Sequence, residues 1–206
     1  MNKNGVDSNQ ANVKVVIIGN SDVGKTALME RFVYEKFSIR RGETLGATFV
    51  TKKITRGRQT LVLSIWDTAG TERYRAMMKQ YYRKAKAAVV CYDITNKVSL
   101  EVLKSWVTEL RNNEQDCRLY ICGTKKDLVD DGKAACEVER DKVQFYAECI
   151  SAPSIETSSK TGENVDKLFT MIADDLWDEA LKSKVSNATG SFNIPHPPPK
   201  RHCCSK

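Results

Sequence analysis

The sequence predicts an α/β domain: a doubly wound, mostly parallel six-stranded sheet with helices on both faces. Three observations carry this. Short apolar runs, Val13–Ile18, Ala87–Tyr92 and Leu119–Cys122, read as strands covered on both faces. Helical patterns alternate with them, as parallel crossover connections require. A glycine-bounded loop joins the first run to the first helical pattern, where such sheets place their ligands.

The elements follow in order. Val13–Ile18 is the first strand, and the helical stretch Ala27–Tyr34 carries Leu28 and Phe32 four apart. Phe37–Gly46 reads as a loop, with two glycines and many charges. Ala47–Thr55 and Thr60–Trp66 are β-rich and separated by Arg56–Gln59, a hairpin signal. Asp67–Arg75 is a polar loop leading into a helical stretch, Ala76–Lys84. After the strand Ala87–Tyr92, the residues Leu100, Leu103, Trp106, Val107 and Leu110 share one helical face. Leu119–Cys122 is a strand ending at Gly123, Val138–Ala147 a short helix and Ser154–Thr157 a short strand. Asn164 is expected as the N-cap of a last helix lined by Val165, Leu168, Phe169, Ile172 and Leu176. From about Lys182 the pattern stops, and four of the five prolines follow. The expected organisation is a short flexible N-terminus (1–11), one domain (12–181) and a disordered tail (182–206).

Composition narrows the class. The 206 residues are 41% hydrophobic and 29% charged, as in a soluble globular protein. No apolar run approaches the roughly 18 residues of a membrane span. The polar start lacks the apolar core of a secretory signal, which points to the cytosol and to seven cysteines kept as thiols. Cys91 and Cys122 read as packing residues. The net charge is +7, but most basic residues are interleaved with acids along helices. That is a solvated surface, and no nucleic-acid partner is expected. From Ser183 onward there are four Lys/Arg and no acid.

The motifs carry the chemistry. Gly19-Asn20-Ser21-Asp22-Val23-Gly24-Lys25-Thr26 fits G-x-x-x-x-G-K-[ST] in its strand–loop–helix setting. Its amides, including those of Ser21, Val23 and Gly24, can curl around a phosphate, and the helix start adds partial positive charge. Lys25 can reach β- and γ-phosphates, and the Thr26 hydroxyl can coordinate Mg²⁺. About forty residues on, Asp67 closes a strand and can hold Mg²⁺ through its water shell. Gly70 lets an amide approach a γ-phosphate. Thr124-Lys125-Lys126-Asp127 follows another strand. The Asp127 carboxylate can accept from the N1–H and N2–H₂ edge of guanine, a pair that adenine lacks. In Ser158-Ser159-Lys160, the Ser159 amide can meet guanine O6. An ATP-using kinase of the same loop class is disfavoured by Asp127 and Ser159.

In this order and spacing, the four motifs resemble those of the Ras-like small GTPases. Within them the chain looks like a Rab, through Leu45–Phe49 (LGATF), Leu63–Tyr74 (LSIWDTAGTERY), Tyr81–Ala85 (YYRKA) and Tyr92–Thr95 (YDIT). The resemblance covers about residues 12–181. It implies a GTP hydrolase with Mg²⁺ and GTP/GDP, cycling through exchange factors (GEFs) and GTPase-activating proteins (GAPs), with effectors reading switches I and II. It makes Thr44 the switch-I threonine on Mg²⁺ and γ-phosphate, places Phe37 against the guanine, and makes Phe49, Trp66 and Tyr81 an effector-facing triad. Lys25, Thr44, Gly70 and the position of Thr71 form the implied catalytic set.

Three departures stand out. Thr71 replaces the Gln that orients the attacking water, Asp22 replaces a usual Gly, and Thr124 replaces the Asn of N-K-x-D. Slow hydrolysis and loosened nucleotide binding are expected. Similar substitutions mark a divergent Rab branch linked to autophagy. A hydrolysis-deficient, GTP-bound recruitment module is the rival reading.

The ending His202-Cys203-Cys204-Ser205-Lys206 resembles Rab double-prenylation sites. It implies geranylgeranyl groups on Cys203 and Cys204, added by a geranylgeranyl transferase with Rab escort protein, and a soluble pool held by GDP dissociation inhibitor. Two chains hold firmly where one holds reversibly, and Lys200 and Arg201 add roughly 1 kcal/mol each at an anionic leaflet. About twenty tail residues span up to about 65 Å. The implied location is the cytosolic face of endomembranes. Metal binding by His196, His202 and the cysteines has no supporting fold.

Overall fold

In the first strand, successive side chains face two different helical layers. Val13, Val15 and Ile17 pack on one face of the sheet, and Val16 and Ile18 on the other. Ala87, Val89 and Cys91 against Ala88, Val90 and Tyr92 repeat this alternation, as do Tyr120 and Cys122 against Leu119 and Ile121. A strand buried on both sides has no polar face to spare, which is why these stretches read as continuous apolar runs. Each fully buried Val, Ile or Leu contributes about 1.5–3 kcal/mol.

The computed structural model describes residues 10–39, 44, 46–70 and 80–188, with side chains up to 180. The elements are β1 (Gln10–Gly19), α1 (Lys25–Tyr34), β2 (Ala47–Arg56), β3 (Gln59–Thr68), β4 (Ala87–Asp93), α2 (Lys97–Asn113), β5 (Arg118–Thr124), α3 (Lys126–Asp130), α4 (Arg140–Cys149), β6 (Ser154–Glu156) and α5 (Val165–Ala188). The sheet order is β2-β3-β1-β4-β5-β6. Only β2 runs antiparallel, paired with β3 through a tight turn at Gly57 and Arg58. The sheet is thus six-stranded and mostly parallel, as expected. Helices α1 and α5 cover one face, where Phe32 and Phe169 stack with centroids 3.9 Å apart. Helices α2 and α4 cover the other around Trp106.

β1 pairs with β3 on one side and β4 on the other. The chain therefore leaves β1 at the point where the order of strands reverses. This is where α/β sheets open a crevice beyond their strand ends, and the glycine loop lies there.

Several boundaries differ from those expected. β1 and β3 are longer than their apolar cores, because pairing of backbones extends through Gln10 and Thr60 whatever the side chains. Helix α4 begins at Arg140 rather than Val138, whose side chain is buried in the core ahead of it. Helix α5 continues to Ala188, past the tail boundary expected at Lys182. No Gly or Pro interrupts the chain from Val165 until Gly190, so nothing in that stretch stops the helix. Asn164 does precede α5, but its backbone is left-handed (φ 58°) and its side-chain amide donates to the Glu156 carbonyl at 2.8 Å. It ties the start of the helix to β6. The short helix α3 was not anticipated.

Candidate functional site

One cleft of about 340 Å³ runs across the carboxyl ends of β1 and β5. Ser21, Asp22, Gly24, Lys25, Thr26, Phe37, Thr44, Gly70, Thr124, Lys125, Asp127, Ser159 and Lys160 all line it. Residues from four separated motifs thus meet in one place, with Ala27, Ser38, Ile39 and Leu128 beside them.

At one end the glycine loop is held by close packing. A Cβ on Gly19 would lie 2.4 Å from the Cys91 carbonyl oxygen, and one on Gly70 would lie 2.4 Å from the Ser21 nitrogen. Neither neighbour is a flexible tip, so only glycine lets these three strand ends converge. Lys25 begins α1, is buried, and donates from Nζ to the Asn20 carbonyl at 2.6 Å. Desolvation lowers its pKa from the usual lysine value, against the opposing pull of Cys91, Asp67 and Asp22. A buried ammonium in that condition gains from a polyanion. Burial likewise pushes the Cys91 thiol well up, so it stays a neutral packing group beside Cys122.

Beside Lys25 three oxygens converge. Thr26 Oγ1 donates to Asp67 Oδ2 at 2.6 Å and lies 3.0 Å from Thr44 Oγ1. Among the described residues no group of three or more His, Cys, Asp or Glu could cage a metal. One carboxylate and two hydroxyls are hard oxygen donors too few to satisfy an ion alone. They fit Mg²⁺, which keeps several waters and takes its remaining ligands from substrate phosphates.

At the other end Asp127 is buried and accepts from Ser158 Oγ on Oδ1 at 2.7 Å. Its Oδ2 lies 3.8 Å from Lys160 Nζ. Lys125 precedes α3 in a left-handed conformation (φ 63°) and pairs with Asp93 at 2.7 Å. Lys126 reaches Asp130 at 2.6 Å and Glu163 at 3.0 Å, joining α3 to the segment between Lys160 and α5.

A family model described as Ras family matches residues 14–178. The Ras-related protein Rab-24 of Dictyostelium discoideum is 43% identical over 181 residues, covering 88% of this chain and 86% of its own. The GTP-binding protein ypt5 of Schizosaccharomyces pombe is 42% identical, covering 93% and 87%, and human Rab-22A is 36% identical, covering 93% and 97%.

The chain is a Rab-family member of the Ras-like small GTPases. Its family activity is GTP hydrolysis, with GTP/GDP and Mg²⁺ bound. As a Rab, it departs from the expected pattern in instructive ways. Asp22 is exposed and sits at φ 60°, a backbone region that Gly enters freely and Asp tolerates. Thr124 stands where Asn is usual, so one polar tie of the base site is changed. Its hydroxyl faces the Val23 carbonyl of the glycine loop and, at 2.9 Å, the Tyr92 carbonyl. Thr124 still ties the base motif to the phosphate loop, although its one proton can serve only one acceptor at a time.

Phe49, Trp66 and Tyr81 stand together, with ring centroids 5.0 Å apart for Phe49–Trp66 and 5.8 Å for Trp66–Tyr81. Phe49 is half exposed, whereas Trp66 and Tyr81 are partly buried and also pack against the core beneath α2 and α4. Phe37 lines the cleft with its ring partly exposed. Leu45, Thr71, the residues 72–79, and the ending with Cys203 and Cys204 lie outside the described residues.

Sequence reasoning missed Arg31, Asp93 and Glu163. Each acts on the cleft through a salt bridge or a main-chain carbonyl distant in sequence, and no local motif encodes that.

Proposed function

We propose that this Rab-type GTPase is a membrane-anchored switch in vesicle trafficking, with slow intrinsic hydrolysis. One observation carries the nucleotide reading: a single cleft holds Lys25 and Thr26 at one end and Asp127 and Ser159 at the other. The first pair suits a polyphosphate and the second a guanine edge.

The reaction is attack of water on the γ-phosphoryl group. Lys25 offsets charge on the phosphates, and Gly70 brings its amide to the γ-position. Thr26 and Thr44 would hold Mg²⁺ directly, with Asp67 orienting its water shell; the ion supplies charge neutralisation there. Thr71 lacks the reach of the Gln that aligns water, which supports slow turnover. Loss of γ-phosphate releases Thr44 and Gly70, and the two switch loops with them. Phe49, Trp66 and Tyr81 would present the GTP form to effectors.

The anchor reading rests on Cys203 and Cys204 at the end of a basic, proline-rich segment. Among the described residues no helix is long and apolar enough to cross a membrane. Two geranylgeranyl groups would place the domain on the cytosolic face of endomembranes, with escort protein, transferase and dissociation inhibitor as handling partners. Thr71 and Thr124 together support the autophagy-linked branch and a location near autophagosomes.

Calorimetry of the recombinant chain in magnesium buffer tests the core of this. Heat is expected with GDP and GTP and none with ATP; a flat trace with both guanosine nucleotides removes the reading. Thr71 also favours a second reading, a recruitment module that stays GTP-bound. Nucleotide extracted from protein purified from cells separates the two: a GDP mixture supports the cycling switch, nearly pure GTP the module. In single-turnover assays Thr71→Gln should hydrolyse about 10-fold faster or more, within the range of positioned acid–base and orienting groups.

A further inference from the structure

We propose that Arg31 is a positioning residue for guanine recognition: from outside the cleft it fixes the main-chain loop that reads O6. The proposal rests on the reading of the cleft as a guanine-nucleotide site. Arg31 lies in the last turn of α1 and does not line the cleft. Its Nε donates to the Ser159 carbonyl at 2.5 Å and its Nη2 to the Lys160 carbonyl at 2.5 Å. These two nitrogens form one edge of the planar guanidinium, so a single rigid fork sets two successive peptide groups. Nη1 donates to the Glu35 carbonyl at 3.1 Å, which anchors the fork to the end of its own helix.

The consequence follows from peptide geometry. In a trans peptide the N–H points opposite to the C=O. The Ser158 carbonyl accepts from the Gly162 amide at 2.8 Å, so three consecutive carbonyls are held away from the cleft. The amides in the first two of those peptides belong to Ser159, whose peptide the Gly162 bond sets, and to Lys160, whose peptide Arg31 sets. Both residues line the cleft, and neither amide has a protein acceptor among the described residues. They are left facing the place where a base carbonyl would sit. Asp127 takes its own hydrogen bond from Ser158 Oγ, and none of the Arg31 hydrogen bonds reaches it.

Helix α1 also carries Lys25 and Thr26 at its start. Five residues of helix, about 7.5 Å, separate Thr26 from Arg31. One rigid element therefore serves the phosphate end and steadies the base end.

The test uses the full-length chain, the variants Arg31→Ala and Arg31→Lys, and three probes that displace a labelled GDP. GDP carries both O6 and the 2-amino group. The diphosphate of inosine keeps O6 and lacks the amino group. The diphosphate of 2,6-diaminopurine riboside keeps the 2-amino group, replaces O6 by an amino group and loses the N1–H, so only the change in its discrimination on mutating Arg31 reports on O6. For Arg31→Ala we expect GDP affinity to fall about tenfold. The preference for GDP over the diaminopurine analogue should shrink by about the same factor. The preference for GDP over the inosine analogue, which Asp127 sets, should hold within about twofold. Arg31→Lys, whose ammonium cannot span both carbonyls in fixed geometry, should lie between, at about threefold, and carries the test if the alanine variant does not fold. Equal losses for all three probes, or none, overturn the proposal. A wild-type chain that binds no GDP overturns the cleft reading itself.

Discussion

Replacing Asp22 by glycine should slow the release of GDP. Asp22 lines the cleft next to Lys25 and is exposed, in a left-handed backbone (φ 60°). Its charge reaches the site, since it helps hold the Lys25 ammonium in its charged form. Two unit charges about 7 Å apart repel by about 0.6 kcal/mol in water and about 2.4 kcal/mol at an effective dielectric of 20. An exposed carboxylate belongs near the lower figure. Summed over the charges of a diphosphate, relief is about 1 kcal/mol, and the off-rate should fall about fivefold. Fold stability should hardly move. Glycine removes the left-handed strain, of about 1 kcal/mol for a residue that tolerates the region, and adds about as much unfolded-chain entropy. Stopped-flow release of labelled GDP measures the rate. Asp22→Asn is the decisive companion, because it removes the charge and keeps a side chain that accepts φ 60°. Both variants should slow release alike, and the difference from wild type should shrink in 1 M salt, where charges are screened beyond about 3 Å. Slowing in the glycine variant alone would refute the electrostatic reasoning and assign the effect to the backbone.

Further outcomes follow from the same contacts. Thr124→Val deletes the hydroxyl shared by the Val23 and Tyr92 carbonyls; a cost of about 1–3 kcal/mol should lower the melting temperature by about 3–10 °C, and an unchanged melt would show that this tie braces nothing. Hydrogen bonds from Lys133 and Lys160 pull the Asp131 carboxyl down from 3.8 to about 2. Its folded value lies below the unfolded one, so the stabilisation is complete above pH 3.8 and lost as pH falls through about 2. Melts of Asp131→Asn should therefore lie slightly below wild type at pH 6 and converge with it by pH 2; a gap constant with pH counts against the pairing. Fluorescently tagged Cys203→Ser/Cys204→Ser should move from membranes to a diffuse soluble distribution, and persistent membrane staining would rule out the lipid anchor.

Much of the fold could be read from the chain because covered strands leave no choice of residue. Val15, Ile17 and Val89 face one helical layer, Val16, Ile18 and Val90 the other, and every position must be apolar. The phosphate end was legible for a related reason. Gly19 and Gly70 stand where a Cβ would strike a neighbouring backbone, and Lys25 and Thr26 are adjacent in sequence. The end of α5 was not legible from the lining residues, because a helix can run on past its apolar stripe. It needs only the absence of a breaker.

The base end was harder, and Thr124 shows why. Comparing Thr with Asn compares side chains, whereas the acceptors are main-chain carbonyls that every residue offers. A hydroxyl and an amide can both donate to the Val23 carbonyl; they differ in number, one proton against two. The substitution therefore keeps the link between phosphate loop and base motif and gives up simultaneous service to a second acceptor. Arg31 is the same case at longer range. Its partners are the carbonyls of Ser159 and Lys160, more than a hundred residues away, and neither side chain takes part in the bond. A motif records the groups that would touch the nucleotide. The groups that aim those amides answer to backbone geometry, and only the folded chain brings them to light.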